Sequence, residues 1–444
     1  MKITHIASAT VLIEYQQTKI LTDPWLLGEP YYGSWTHYPE INVDWDMFND
    51  VDYIYISHIH PDHMSKETLD KIKPEIPILV HSYEEKFVKN NLERWGRKVI
   101  ELGHGEEFDC GDGLNIKIYA ADNCNPELCY KFFGCGKMEG KMGSTGIDTL
   151  CVIENGKHVI LNVNDCPLSL STNTINKVLE DHSVIDLLLV GYAGAGSYPQ
   201  CWECYSDEEK LNKYGPKKKK YFLNSGKGFI DSIRPKHYMP FAGTYTLRGK
   251  FAKLEKLRVV PELQDALEFY QKECSFSNGI LLNSMEYFDL DSGYLSSEYK
   301  PIDYDKKIEY VENVLSKFAY DYESDEDVSL DQILELVEAS FERYDRKRQE
   351  LNFNTPTNIY IYLPEEKMLK ISCSGNGYEI IDRKDFNDQR YVTYRLDYKL
   401  LFRILRGPKY AHWNNAEIGS HIQFTRKPEE YERALYFSMN YFHC

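Results

Sequence analysis

The stretch Val51-Asp52-Tyr53-Ile54-Tyr55-Ile56-Ser57-His58-Ile59-His60-Pro61-Asp62-His63 decides the reading of this chain. Its first half is apolar and β-branched enough to form a buried strand. Its second half puts three histidines and an aspartate into six residues, 58–63. Ser65 is placed to cap a helix running to residue 73, where Pro74 stops it. The histidine segment is therefore expected as a strand-to-helix loop at the carboxyl end of a strand, where open α/β sheets carry their sites. His58 and His60, two apart, can face one metal ion from extended backbone. Asp62 and His63, past the turn, can reach a second.

Working outward, residues 2–14 and 18–23 predict a hairpin turning at Gln16-Gln17, with Asp23 left at a strand end beside the histidine loop. Downstream, strands and helices alternate as far as residue 120, as in an α/β protein. An irregular stretch follows at 121–145, containing Asp122-Asn123-Cys124-Asn125-Pro126-Glu127. Strands at 148–154 and 158–163, joined at Asn155-Gly156, leave Asp165 at another strand end. A helix near 172–180 and an apolar strand at 185–190 open into the glycine-rich turn 191–197, where backbone can approach a ligand closely. The basic run 217–220 reads as a solvated helix face. Beyond about residue 255 the pattern turns to helices at 261–272, 304–320 and 330–348 among acidic, tyrosine-rich loops. Strands at 358–363 and 368–374, a helix at 398–405 and an aromatic helix reaching Cys444 complete it. Two units are expected, 1–255 for metal binding and 256–444 as an α+β domain packed tightly on it, because no low-complexity linker separates them.

Composition narrows the partners. The chain has 444 residues, 42% hydrophobic and 27% charged, with 52 basic against 69 acidic side chains and a net charge of -17. That excess argues against general nucleic-acid or acidic-membrane binding, both of which need a positive surface. A small anionic substrate stays compatible, since a local metal ion outweighs the overall field. No signal peptide and no spanning segment is expected. The 11 cysteines are scattered, some within apolar strands, which points to reduced thiols and a cytoplasmic setting. Cys201-Trp202-Glu203-Cys204, with Cys124, Cys129 and Cys135, offers thiols for zinc or a cluster, but the wide gaps favour free thiols. His412-Trp413 and His421 are read as packing residues with a polar edge, a pocket lining being the alternative.

The histidine loop, Asp23 in Thr-Asp-Pro-Trp and Asp165 on a later strand together resemble the metallo-β-lactamase superfamily. The resemblance implies an αββα sandwich with metal ions at the sheet edge, followed here by a C-terminal α+β extension. Within the superfamily the chain is most similar to the catalytic part of the CMP-N-acetylneuraminate hydroxylases. The similar stretches are Thr22-Asp23-Pro24-Trp25-Leu26, residues 53–58 and 160–162, Asp165-Cys166, Ala193-Gly194 with Pro199, Pro240-Phe241-Ala242-Gly243, and, near the end, Ile418-Gly419 and Arg426 with Pro428. The paired Cys-x-His segments of those hydroxylases' Rieske domain do not occur in this sequence. The further histidines that hydrolases of the superfamily supply are also missing: the first position falls in 122–127 and the second near Phe241-Ala242. His237 lies close to the second, on a strand.

The expected ligands are thus His58, His60, Asp62, His63 and the bridging Asp165, with Asp122 or Glu127 completing the set. A carboxylate in place of an imidazole makes the site harder and more iron-like. The leading expectation is an oxygenase-like iron enzyme, with one or two ions, acting on an acidic or nucleotide-linked sugar and drawing electrons from a separate protein. The alternatives are a zinc or manganese hydrolase of an ester or phosphodiester, in which Asp62 and Asp165 orient the attacking water, and a non-catalytic binding subunit.

Overall fold

The computed structural model describes residues 1–83, 86–121 and 148–444. Two large sheets face each other. One has eight strands, in the order Tyr294–Leu295, Tyr287–Asp289, Lys2–Ala7, Thr10–Tyr15, Thr18–Thr22, Tyr53–Tyr55, Ile78–His81, Val99–Leu102. The other has seven, in the order Asn278–Gly279, His237–Phe241, Leu187–Gly191, Val159–Asn164, Thr149–Glu154, Leu114–Ala120, Glu107–Gly111. Strand periodicity explains the layering. Cys151 and Ile153 point into the core between the sheets, while Leu150 and Val152 point to the opposite face. Tyr55 lies in the inter-sheet core, and its neighbours Ile54 and Ile56 face outward against Leu69 and Leu92 of the helices Lys66–Leu69 and Phe87–Arg94. Helices Leu168–Asp181, Gly215–Ile233 and Leu263–Glu273 cover the outer face of the second sheet. The result is the expected four-layered αββα sandwich.

The parallel strands bring the loops together. Thr18–Thr22, Tyr53–Tyr55, Ile78–His81 and Val99–Leu102 run parallel in the first sheet, and Val159–Asn164, Leu187–Gly191 and His237–Phe241 do so in the second. Asp23, the histidine loop, Asp165 and the glycine-rich turn therefore all leave strands at one edge of the sandwich.

Several elements differ from expectation. Residues 2–14 are not one strand: Ser8 adopts a left-handed φ of 46° and folds the segment back on itself, so three strands form a meander. The helix expected at 304–320 ends at Asn313, and the C-terminal helix is the seven-residue Arg433–Met439. Strands as late as Leu295 pair within the two large sheets, so those sheets extend past residue 255. The remaining chain forms a five-stranded sheet, Tyr378–Asp382, Lys367–Ser372, Asn358–Tyr362, Tyr391–Arg395, Gln423–Lys427, with helices Leu330–Glu350 and Tyr398–Leu405. Its core is shared: Trp25, Tyr31, Trp35 and Trp202 pack in one cluster with Ile359, Tyr394, Trp413 and Phe424. Among the described residues no helix is long and apolar enough to cross a membrane.

Candidate metal centre

The strand Tyr53–Tyr55 ends in Ser57, and the geometry of the site starts there. Asp23 is fully buried, and its carboxylate accepts from Ser57 N (2.7 Å), Ser57 Oγ (2.9 Å) and Asn164 Nδ2. Asp23 and Asn164 both sit at strand ends in left-handed backbone, φ 40° and 48°. Because Ser57 spends its proton on Asp23, its oxygen is left to accept from His58 Nδ1, 2.9 Å away. His58 then presents an unprotonated Nε2 to the interior of the site.

His60 and His63 are fixed by the same logic. Asn414 Oδ1 faces His60 Nε2 at 3.4 Å, which turns Nδ1 toward His58 Nε2 at 2.9 Å. Asp23 Oδ2 lies 3.3 Å from His63 Nδ1, which turns Nε2 toward Asp62 Oδ2 (3.4 Å) and Asp165 Oδ2 (3.5 Å). Each ring thus has its outer nitrogen committed to a second partner, the arrangement that orients imidazoles around a metal ion.

A carboxylate outside the expected set completes the picture. Asp148 Oδ1 stands 3.1 Å from His58 Nε2, is buried, and has no hydrogen-bond partner among the described residues. Two groups of potential ligands result, each with its donor atoms within 4.8 Å of one another: His58, His60 and Asp148, and His58, His63 and Asp165. Lone pairs of His58, His60 and Asp148 converging in a buried place repel unless a cation lies among them. The donor set therefore fits a metal ion.

The electrostatics agree. Burial, then the neighbouring His63 and His60, pushes His58 well below the usual histidine range. Burial and Asp165 hold Asp148 well above the usual carboxylate range. Burial would lower His63 too, but Asp62 and Asp165 raise it well above normal. Positive charge is favoured where His63 meets its carboxylates, and Asp148 is costly as an anion without a cation.

Of the expected ligands, the structure brings His58, His60, His63 and Asp165 into these groups. Asp62 lies outside both, held by Tyr31, whose Oη donates to Oδ1 at 2.5 Å, with its other oxygen toward His63. Asp122 and Glu127 lie outside the described residues, as do Cys124, Cys129 and Cys135. His237 opens its strand at the far end from the site and packs on Phe288. His421 bonds Tyr31 O and Tyr322 Oη, and His412 caps the helix Trp413–Ile418. Cys201 is buried and Cys204 exposed, both as free thiols.

The match to known proteins follows the same segment. A family model described as the beta-lactamase superfamily domain covers residues 2–127. The first part of the chain is thus similar to that superfamily's domain. Homologues cover about the N-terminal half of the chain. A cytidine monophosphate-N-acetylneuraminic acid hydroxylase from Danio rerio is 29% identical over 256 residues, 55% of this chain and 38% of the relative. A putative Rieske 2Fe-2S iron-sulfur protein from Mycolicibacterium smegmatis is 26% identical over 251 residues, 55% of this chain and 43% of the relative. The match thus spans less than half the length of these relatives. Among solved structures, an isothiocyanate hydrolase from Delia radicum gut bacteria is 15% identical with a TM-score of 0.44, covering 65% of this chain and 99% of that one. CmlA, a diiron β-hydroxylase from Streptomyces venezuelae, is 17% identical with a TM-score of 0.40, covering 64% and 53%. The matched segment carries the histidine loop; Asp148, Asp165 and Asn414 come from beyond it.

Proposed function

We propose that this protein is a metal-dependent oxygenase-like enzyme acting on an acidic or nucleotide-linked sugar. The observation that carries the reading is Asp148 beside His58 and His60: two imidazoles and one carboxylate form a harder donor set than three imidazoles, closer to the pattern of oxygen-activating iron. His58, His60 and Asp148 would hold one ion, and His63 and Asp165, sharing His58, a second. When bound, the metal supplies Lewis acidity and open coordination positions. The chain's own residues orient the ligands: Asp23 aims His63, Ser57 aims His58, and Asn414 aims His60. Asp165, with its side chain 41% exposed, meets solvent and so can meet substrate. The substrate class is supported by the hydroxylase names among the relatives. Reducing equivalents come, on this reading, from a separate electron-transfer protein. The eight free thiols among the described cysteines suit a cytoplasmic setting.

The test is metal content after purification without chelators, followed by incubation with CMP-N-acetylneuraminate, oxygen and an artificial reductant. Bound iron and a product carrying one added oxygen atom are expected. Zinc or manganese with hydrolysis of an ester or phosphodiester substitutes the hydrolase reading, and a metal-free, inert protein substitutes the binding-subunit reading.

A further inference from the structure

Tyr31 sits in a turn that its own backbone resists. Tyr31 and the following Tyr32 both adopt left-handed conformations, φ 57° and 60°, which aromatic residues rarely enter and which persist only where surrounding contacts overdetermine them. Those contacts come from a segment nearly 400 residues further along the chain. His421 Nε2 donates to Tyr31 O at 2.7 Å, and His412 N donates to Tyr32 Oη at 2.7 Å. Ser34 Oγ donates to Gly419 O, and a Cβ on Gly419 would stand 2.9 Å from Tyr31 Cβ, so only glycine leaves room for this turn.

Among the described residues the held side chain has one polar partner. Tyr31 Oη donates to Asp62 Oδ1 at 2.5 Å, in a buried setting, while its ring packs on Trp35 at 4.4 Å. The bond occupies one oxygen of Asp62 and leaves Oδ2 toward His63 Nε2, where Asp165 also converges.

We propose that Tyr31 is a positioning residue of the metal centre: gripped by the C-terminal unit through His421 and Gly419, its phenol fixes Asp62 against His63 and so sets the half of the site built on His63 and Asp165. The inference rests on the metal reading above. It makes the C-terminal unit part of the site's architecture, since the turn that presents Tyr31 is closed by residues of that unit.

Cobalt(II) titration of the full chain, followed by its visible absorption and by calorimetry, tests this without turnover. Tyr31→Phe removes one oxygen and keeps the ring. Acting through Asp62 on the ligand His63, it is expected to weaken cobalt affinity about 10-fold, the low end for loss of outer support to a ligand, and to alter the absorption band, with the metal-free melting temperature nearly unchanged. His421→Leu reproduces the effect, and His421→Gln, which can still donate to Tyr31 O, restores much of the affinity. Wild-type affinity and spectrum in Tyr31→Phe overturn the inference while leaving the metal reading intact. A lowered metal-free melting temperature with unchanged cobalt affinity also overturns it, because the phenol then serves stability alone. A wild-type chain that takes up no cobalt overturns the metal reading and this inference with it.

Discussion

Asp148 and Asp165 lie across the end of one hairpin. Strands Thr149–Glu154 and Val159–Asn164 pair with Cys151 opposite Asn162 and Glu154 opposite Val159. The two carboxylates that reach His58 and His63 therefore both sit three residues beyond the last paired positions of one hairpin, Cys151 and Asn162, where the left-handed Asn164 ends the extended strand.

Substitution at Asp148 should separate the two ligand groups. Asp148→Asn removes the anionic oxygen beside His58 and His60 and is expected to lower iron occupancy at least 10-fold, roughly the effect of losing a ligand or its close support. Asp148→His supplies a softer donor and should shift the balance from iron toward zinc. Elemental analysis of the variants checks both; unchanged iron in Asp148→Asn removes this residue from the ligand set.

The pair His58→Ala and His60→Ala should abolish metal uptake and activity together and leave the fold in place. Both side chains sit on the loop after Tyr53–Tyr55, and the inter-sheet core contains neither. Circular dichroism like that of the wild type, with no bound metal, is the expected result. Full activity in the double variant would end the metalloenzyme reading.

Acid stability should depend on Glu255. It is buried and accepts from Leu247 N and Arg258, with Lys307 Nζ at 3.2 Å. Burial alone would raise its pKa, but Arg258 and Lys307 bring it from 4.5 down to about 2. A folded-state value below the unfolded one gives stability that is complete above about pH 4.5 and is lost as pH falls to 2, worth about 3 kcal/mol. Glu255→Gln leaves Arg258 uncompensated and should cost about 3–5 kcal/mol near neutral pH. Urea unfolding as a function of pH should show that difference shrinking through the same window; a constant difference would refute the assignment.

The sequence displayed the first half of the site because those residues are contiguous. His58, His60 and His63 share one loop, and a buried strand before it announces where the loop points. Asp165 was legible for the same reason. Asp148 was missed although a signal was present: it precedes one strand of the hairpin turning at Asn155-Gly156, at the same end of the hairpin where Asp165 follows the other. Tyr31, Asn414 and His421 carried no such signal. The contact between His60 and Asn414 spans 354 residues, and nothing local to Asn414 marks it as facing an imidazole. The longer strands and helices of the sandwich were visible through period-two and 3.6 patterns. The break at Ser8 was not, since a left-handed serine depends on how the flanking strands pair rather than on its own preference.

Gly226 should resist replacement even by alanine. It lies inside the helix Gly215–Ile233, where alanine is intrinsically better by about 1 kcal/mol. A Cβ there would stand 2.1 Å from Tyr270 Oη and 3.0 Å from Gly191 O. Gly226→Ala is expected to destabilise the protein by about 1–3 kcal/mol, the cost of overpacking. Tyr270 Oη has no hydrogen-bond partner among the described residues, so Tyr270→Phe forfeits little there and should recover part of the loss in the double variant. Strict additivity of the two changes in denaturant melts would disprove the clash.

The C-terminal unit should not be separable from the sandwich. A fragment ending near residue 255 loses the strands Asn278–Gly279, Tyr287–Asp289 and Tyr294–Leu295, which pair at the edges of both large sheets. It also uncovers Trp25, Tyr31, Trp35 and Trp202, now packed against Ile359, Tyr394, Trp413 and Phe424. Four large aromatic side chains brought to the surface together form an apolar patch beyond what a soluble monomer ordinarily exposes. The Tyr31 turn, freed from His421 and Gly419, loses the contacts that close its left-handed backbone and keeps only local ones and those through its ring and phenol. The fragment is therefore expected to aggregate, and any soluble fraction to bind cobalt more weakly than the full chain. Limited proteolysis with size-exclusion chromatography checks this: cleavage that releases a stable, monomeric fragment of about residues 1–255 with full cobalt affinity would show that the sandwich folds, and builds its metal centre, alone.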